Sequence, residues 1–149
     1  MKLACYKGPP DDFWHAVGHT ATCVWTGSRY SHAELVFGEP DHLGESLCAS
    51  ASARDGGVRF KNIDLASGRW DVYALPGYDK FDEAYAYEWF SKHQGTPYDY
   101  FGLVWFVLPI RKFNHPHKQF CSEAIASALG MRKPHKFHPQ RLLDAAMKA

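Results

Sequence analysis

Cys121 opens the run Phe120-Cys121-Ser122-Glu123-Ala124-Ile125-Ala126-Ser127-Ala128-Leu129-Gly130. The spacing predicts a short helix: Phe120 is apolar just ahead of the cysteine, Ile125 and Leu129 recur at helical spacing, and Gly130 supplies the stop. A thiol in the first turn of a helix sits at the positive end of the macrodipole, which lowers its pKa and favours thiolate. That is where a nucleophilic cysteine belongs; the plain alternative is a small buried residue at a helix start. A thiol hydrolase also needs an imidazole within hydrogen-bond reach and a polar group to orient it. His32, in Tyr30-Ser31-His32-Ala33-Glu34-Leu35-Val36-Phe37, is the candidate imidazole, because a strand edge beside a helix amino terminus lets the two meet. Alternation places His32, Glu34 and Val36 on one face of that strand and Ala33, Leu35 and Phe37 on the other, so Glu34 is a candidate to hold the ring. Ser50 is the cross-strand candidate. If residue 37 pairs with 45, His32 lies opposite Ser50, and a shift of one or two residues brings Ala49 or Cys48 there instead. Glu45 is reached only in a much tighter hairpin.

Other histidines offer less. His115 and His117 are two apart near Cys121, but no carboxylate or cysteine pair completes a tetrahedral metal set, and with His135 and His138 they sit among Lys and Pro as solvated loop residues. His15 and His19 are four apart, yet the Glu of a His-Glu-x-x-His motif is missing. No metal or cofactor is expected. Lys112 and Lys118 flank the cysteine loop and could attract an anionic substrate, although solvated charge is the default for such positions. Tyr100, Phe101, Trp105 and Phe106 read as core.

The elements that must position these residues are legible in outline. Lys2 to Tyr6 is a strand candidate stopped by Gly8-Pro9-Pro10. Thr20 to Thr26 is rich in β-branched and aromatic residues and reads as a strand. Further strands are expected at 30–37, 45–52, 58–63 and 70–75, separated by turns at Gly38 to Gly44, at Arg54-Asp55-Gly56-Gly57 and at Pro76-Gly77. The region from 20 to 75 therefore reads as an antiparallel meander. From Asp79 to His93 the pattern turns helical, with Asp79 as cap, Gly95 as stop and Phe81, Ala84, Tyr85, Trp89 and Phe90 near one stripe. Thr96-Pro97-Tyr98-Asp99-Tyr100 is a bend, 101–108 is a buried helix or strand, and His138-Pro139 opens a terminal helix.

Composition sets bounds on all this. The 149 residues are 46% hydrophobic and 15% aromatic, which suits one α+β domain over 1–149 with a real core and argues against disorder. A net charge of +1 argues against a nucleic-acid binder that depends on broad electrostatics. No signal peptide is visible, and the longest apolar run, Tyr100 to Ile110, is about half a membrane span. The expectation is a soluble, cytoplasmic protein without stable membrane insertion. Its four cysteines, Cys5, Cys23, Cys48 and Cys121, are expected as free thiols.

Four stretches together resemble a known family: Tyr30-Ser31-His32-Ala33-Glu34-Leu35-Val36, Arg54-Asp55-Gly56-Gly57-Val58-Arg59, Gly95-Thr96-Pro97-Tyr98-Asp99-Tyr100 and Phe120-Cys121-Ser122-Glu123-Ala124. They look like the circularly permuted branch of the NlpC-type papain-like cysteine hydrolases, which also includes relatives of lecithin–retinol acyltransferase. In that branch the histidine strand comes first and the cysteine helix last. The resemblance covers roughly residues 20 to 130. It implies a papain-like α+β fold, an antiparallel sheet against helices, a nucleophile at Cys121 and a base at His32. Tyr98 and Asp99 match a recurrent Tyr-Asp of the family that shapes the cleft. The family's third, polar residue usually sits on the strand after the histidine. This sequence has no His, Asn or Gln there, only Ser50 or Glu45, and the third role is assigned to Glu34. The expected activity is thiol-dependent hydrolysis of an amide or ester, or acyl transfer, on a peptide, lipid or other acyl substrate. The alternative is an inactive member of the same fold that binds a peptide or lipid or is structural.

Overall fold

The computed structural model describes residues 1–8, 20, 23–24, 27–98 and 120–149. It is an α+β arrangement: a five-stranded, open antiparallel sheet with, among the described residues from 80 onward, three α-helices. The strands are β1 (Lys2–Tyr6), β2 (His32–Phe37), β3 (Ser46–Ser52), β4 (Gly57–Ile63) and β5 (Trp70–Ala74). The helices are α1 (Lys80–His93), α2 (Cys121–Ala128) and α3 (Pro139–Ala146), with a 3-10 turn at Pro134–Lys136 between the last two.

The strands lie in the order β4-β3-β2-β1-β5. Only β2, β3 and β4 form a meander; β5 crosses to the far side and pairs with β1, which corrects the expectation of a single meander through residue 75. The chain supplies the reason. β1 offers one edge to β2 and the other to β5, and a strand buried between two partners satisfies both sets of backbone groups. The stretch 20–26, expected as a strand, is described at Thr20, Cys23 and Val24, which are helical; strand propensity is a statement about fitting a half-buried pleated surface and yields to context.

Leu3, Cys5, Ala33, Leu35, Phe37, Ala49, Ala51 and Val58 fill the core between sheet and helices, together with Ala86 and Phe90 of α1, Ala124, Ile125 and Ala128 of α2 and Leu142 of α3. A smaller apolar patch, Ala4, Val36 and Cys48 with Ile63, Leu65 and Trp70, lies among the residues of alternate register on the other face.

The α1 helix begins at a capping box. The Asp79 side chain accepts from the N–H groups of Phe81 (2.7 Å) and Asp82 (3.0 Å), and the Asp82 carboxylate accepts from Asp79 N–H. Its buried line is Ala86 and Phe90, whereas Phe81 and Tyr85 are exposed. Of the expected stripe, Phe90 is buried and Trp89 packs against the core, whereas Phe81, Ala84 and Tyr85 face outward and Ala86 takes the buried line instead. Phe90 joins Phe37, Phe60 and Tyr87 in an aromatic cluster, and that cluster sets the rotation of the helix. The chain then runs along the outer edge of β4. Val58 N–H donates to Thr96 O at 2.9 Å, Gly95 N–H to Val58 O at 2.9 Å and Tyr98 N–H to Gly56 O at 3.2 Å, so the edge strand is partly covered. Gly57 permits this: a Cβ there would lie 2.0 Å from Thr96 O.

Candidate active site

The site forms where β2 and β3 part. Their pairing runs through Phe37↔Leu47, Val36↔Cys48 and Leu35↔Ala49 and goes no further, while β1 stays paired with β2 down to Tyr6↔His32. The expected pairing of 37 with 45 is therefore off by two residues. Continued in line, the observed register sets Ser50 beside Glu34, not beside His32. Ala33 turns its N–H and C=O toward β3, as Leu35 does, but finds no strand partner there. Its carbonyl accepts instead from Ser50 Oγ at 2.7 Å, and its N–H donates to the sulfur of Cys121. The opening in the ladder is thus filled by the first turn of α2.

Cys121 is the first residue of α2. Phe120 precedes it in extended conformation (φ −105°, ψ 166°) and gives no side-chain cap, so the helix presents its first N–H groups around the thiol. One of them, from Ser122, donates to the sulfur. The Ser122 hydroxyl donates to Phe137 O at 2.6 Å and ties the helix to the segment leading into α3. Cys121 is 4% exposed, and its thiol is hydrogen-bonded to the His32 ring.

His32 opens β2, and its Nε2 lies 2.7 Å from Oε1 of Glu34. With Nε2 engaged there, Nδ1 is the ring nitrogen left for the thiol. Trp70 stands edge-on to the ring, with centroids 6.3 Å apart, and Tyr6 is registered between the two. Glu34 is fully buried and makes a second, bidentate contact: Arg59 donates from Nη1 to Oε2 at 2.8 Å and from Nη2 to Oε1 at 2.6 Å. Asp55 in turn accepts from Arg59 Nε at 2.8 Å and from Lys61 Nζ at 3.1 Å. A continuous polar line therefore runs Cys121, His32, Glu34, Arg59, Asp55, Lys61.

The charges along this line reinforce one another. Burial by itself would depress the His32 pKa, but the Cys121 thiolate and the Glu34 carboxylate outweigh it and raise the imidazole to about 10. Burial would raise the Cys121 thiol; the His32 imidazolium, its hydrogen bond and the N–H groups of Ala33 and Ser122 bring it below the ordinary value instead. Burial would also raise Glu34, and His32 and then Arg59 hold it down. The resting state this favours is a thiolate–imidazolium pair. The other cysteines contrast with it. Burial, helped by the negative charges of Cys121 and Asp71, pushes Cys5 up to about 12. Burial and Glu34, partly offset by Arg59, push Cys48 up to about 12 as well. Burial raises Cys23. None of the four is in a disulfide.

The residues singled out in the sequence are distributed as follows. Cys121, His32 and Glu34 come together. Ser50 is buried next to them and serves the Ala33 carbonyl. Glu45 lies at the far end of the β2–β3 hairpin, where its N–H donates to Asp41. Tyr98 is buried in the main core beside the start of β4. Asp99, Lys112, Lys118, His15, His19, His115, His117 and the aromatic run from Tyr100 to Phe106 lie outside the described residues. His138 caps α3 by accepting from Arg141 N–H, and among the described residues no three His, Cys, Asp or Glu side chains converge as a metal set. Arg59 and Asp55 were not identified from the sequence. Both lie in the quoted stretch Arg54-Asp55-Gly56-Gly57-Val58-Arg59, and alternation alone would have put Arg59 on the Glu34 side of the sheet once the registers were known.

No family model matches the chain, and no curated protein matches it either. Among the described residues no helix is long and apolar enough to cross a membrane.

Proposed function

We propose that this chain is a thiol-dependent hydrolase or acyltransferase, a single domain built on the circularly permuted papain-like plan of the NlpC type. One observation carries the reading. The Cys121 thiol at a helix start is hydrogen-bonded to His32, whose other ring nitrogen lies 2.7 Å from the buried Glu34 carboxylate. A nucleophile, a base and an orienting group are then in chemical series.

In the proposed cycle the Cys121 thiolate attacks the carbonyl carbon of an amide or ester of a peptide, lipid or other acyl substrate. The Cys121 backbone N–H, at the uncapped start of α2, donates to the developing oxyanion. The His32 imidazolium gives its proton to the departing amine or alkoxide as the carbon–heteroatom bond breaks, leaving a thioester on Cys121. His32 then takes a proton from water or another acceptor, which attacks the thioester and frees the thiolate. Glu34 holds the ring in register and balances its charge in the ionised steps. No cofactor enters this cycle.

The test is alkylation by iodoacetamide, read cysteine by cysteine by mass spectrometry between pH 5 and 9. Cys121 is expected to react well ahead of Cys5 and Cys48 and to keep its rate at pH 6. His32→Ala is expected to slow it there by about two orders of magnitude, the thiolate fraction lost when a thiol returns to the ordinary range of ~8.5. A wild-type Cys121 no faster than Cys48, or a rate untouched by His32→Ala, would replace this reading with a non-catalytic binding protein of the same fold. Turnover of activated ester and peptide amide substrates, abolished in Cys121→Ala, identifies the bond cleaved.

A further inference from the structure

Arg59 stands on β4, two strands away from His32, and its guanidinium is held on three sides. Nη1 and Nη2 grip the two oxygens of Glu34 at 2.8 and 2.6 Å, and Nε donates to Asp55 at 2.8 Å. Register makes this reach possible. Ser50 pairs with Arg59 on one side and lies in line with Glu34 on the other. Two interstrand steps span about 9.6 Å, a distance that the arginine and glutamate side chains cover together. The residue between is a serine, short enough for the arginine to pass over and turned aside to the Ala33 carbonyl.

Stability alone is a weak reason for such a contact. The Glu34 side chain is 1% exposed and that of Arg59 14%, and a buried ion pair seldom stabilises more than a well-fitted apolar pair of the same volume. The geometry does something an apolar pair could not. Oε1 of Glu34 is shared between Arg59 Nη2 and His32 Nε2. A planar fork fixes the plane of the carboxylate it holds, and so fixes where the shared oxygen points.

We propose that Arg59 is a positioning residue for the His32–Cys121 pair, its bidentate hold turning the Glu34 carboxylate so that Oε1 faces His32 Nε2. The role rests on the thiol-hydrolase reading. The charged and titratable groups around it are few among the described residues. Glu34 meets His32 on its own strand, Arg59 from β4 and Cys48 from β3. His32 meets Cys121 from α2, and Cys121 feels Cys5 of β1, beyond which lies Asp71 of β5. Arg59 is steadied by Asp55, which also takes Lys61. Without Arg59 the buried carboxylate has His32 as its remaining counter-charge. It takes up a proton earlier on acidification, His32 loses its partner, and the thiolate is lost with it.

The experiment is the pH dependence of Cys121 alkylation in Arg59→Met, Arg59→Lys and Asp55→Asn, the first also in a Glu34→Gln background. Arg59→Met is expected to move the acid limb up by about one pH unit, roughly a tenfold loss of rate below the limb. Arg59→Lys keeps the charge but not the fork and is expected to recover only part of that shift, whereas a role as counter-charge alone would be restored in full by lysine and a merely space-filling role would treat lysine and methionine alike. In Glu34→Gln the further change to methionine is expected to move the limb no more. Asp55→Asn leaves the Glu34 contact in place and frees Nε, so it should shift the limb the same way by less, and it covers the case in which Arg59→Met does not fold. A wild-type limb in both Arg59→Met and Asp55→Asn, or an equal shift with and without Glu34, would overturn the role. His32→Ala separates the two ideas. A wild-type limb there removes the hydrolase reading and this role with it; a shifted limb there beside an unshifted Arg59→Met removes the role of Arg59 alone.

Discussion

Glu34 keeps its charge in a place nearly closed to water because it has two cationic partners on two strands. Its pKa lies below the ordinary 4.5, and that of Asp55 falls from 3.8 to about 2, in each case against the effect of burial. The sign of the linkage follows from those directions. A carboxylate whose folded pKa is depressed adds stability above its unfolded value and loses it as the pH falls through its folded one. The urea midpoint is therefore expected to drop on acidification from pH 6 to pH 2, and Asp55→Asn should start lower at pH 6 and fall less steeply. An equally steep fall in the variant would mean that the Asp55–Arg59 contact carries no charge-dependent stability. At this scale the sequence was partly readable. A period of two is enough to put His32 and Glu34 on one face, and Glu34 was assigned from that. Arg59 was not, because its place depends on two interstrand registers in succession, and an error of two residues in the first leaves it with no visible target.

Elements were legible where a local signal decides them and not where a neighbour does. The α1 capping box, the stop at Gly95 (φ +85°) and the cysteine helix ending at Gly130 (φ +66°) all follow from residues within a turn or two. The rotation of α1 does not. Aromatic residues lie all round that helix, so several lines could have been the buried one, and contact with Phe37 and Phe60 chose Ala86 and Phe90. The strap from 95 to 98 along β4 depends likewise on Gly57, whose φ of +156° and lack of a side chain admit Thr96. Gly57→Ala is expected to cost about 2–3 kcal/mol in urea unfolding, since a backbone oxygen has little room to yield. A loss under about 0.5 kcal/mol, the size of an ordinary surface change, would show that the strap can move away without penalty.

The molecule as a whole gathers the candidate site from distant parts of the chain. His32 and Cys121 are about ninety residues apart, Arg59 arrives from a second strand, and β1 lies between β2 and β5. The transfer of β5 to the β1 side escaped the sequence for that reason: which free edge a strand chooses is settled by the assembled sheet, not by the strand. Because the proposed reactive thiolate would depend on contacts between α2 and β2, rapid Cys121 alkylation at pH 6 should vanish at the same urea midpoint as the far-ultraviolet circular dichroism. A thiol that slowed well before the sheet melted would mark the α2 junction as a separately unfolding part. That junction has one more consequence. Ala33 N–H donates its hydrogen bond to the Cys121 sulfur in place of a strand carbonyl. In the proposed cycle a thioester sulfur bears no negative charge and accepts poorly, so forming it leaves a main-chain donor stranded inside the protein. A donor left this way costs about 1–3 kcal/mol. The sheet itself would thus resist storing the acylated form and favour its discharge, a bias toward turnover placed in the backbone rather than in any side chain.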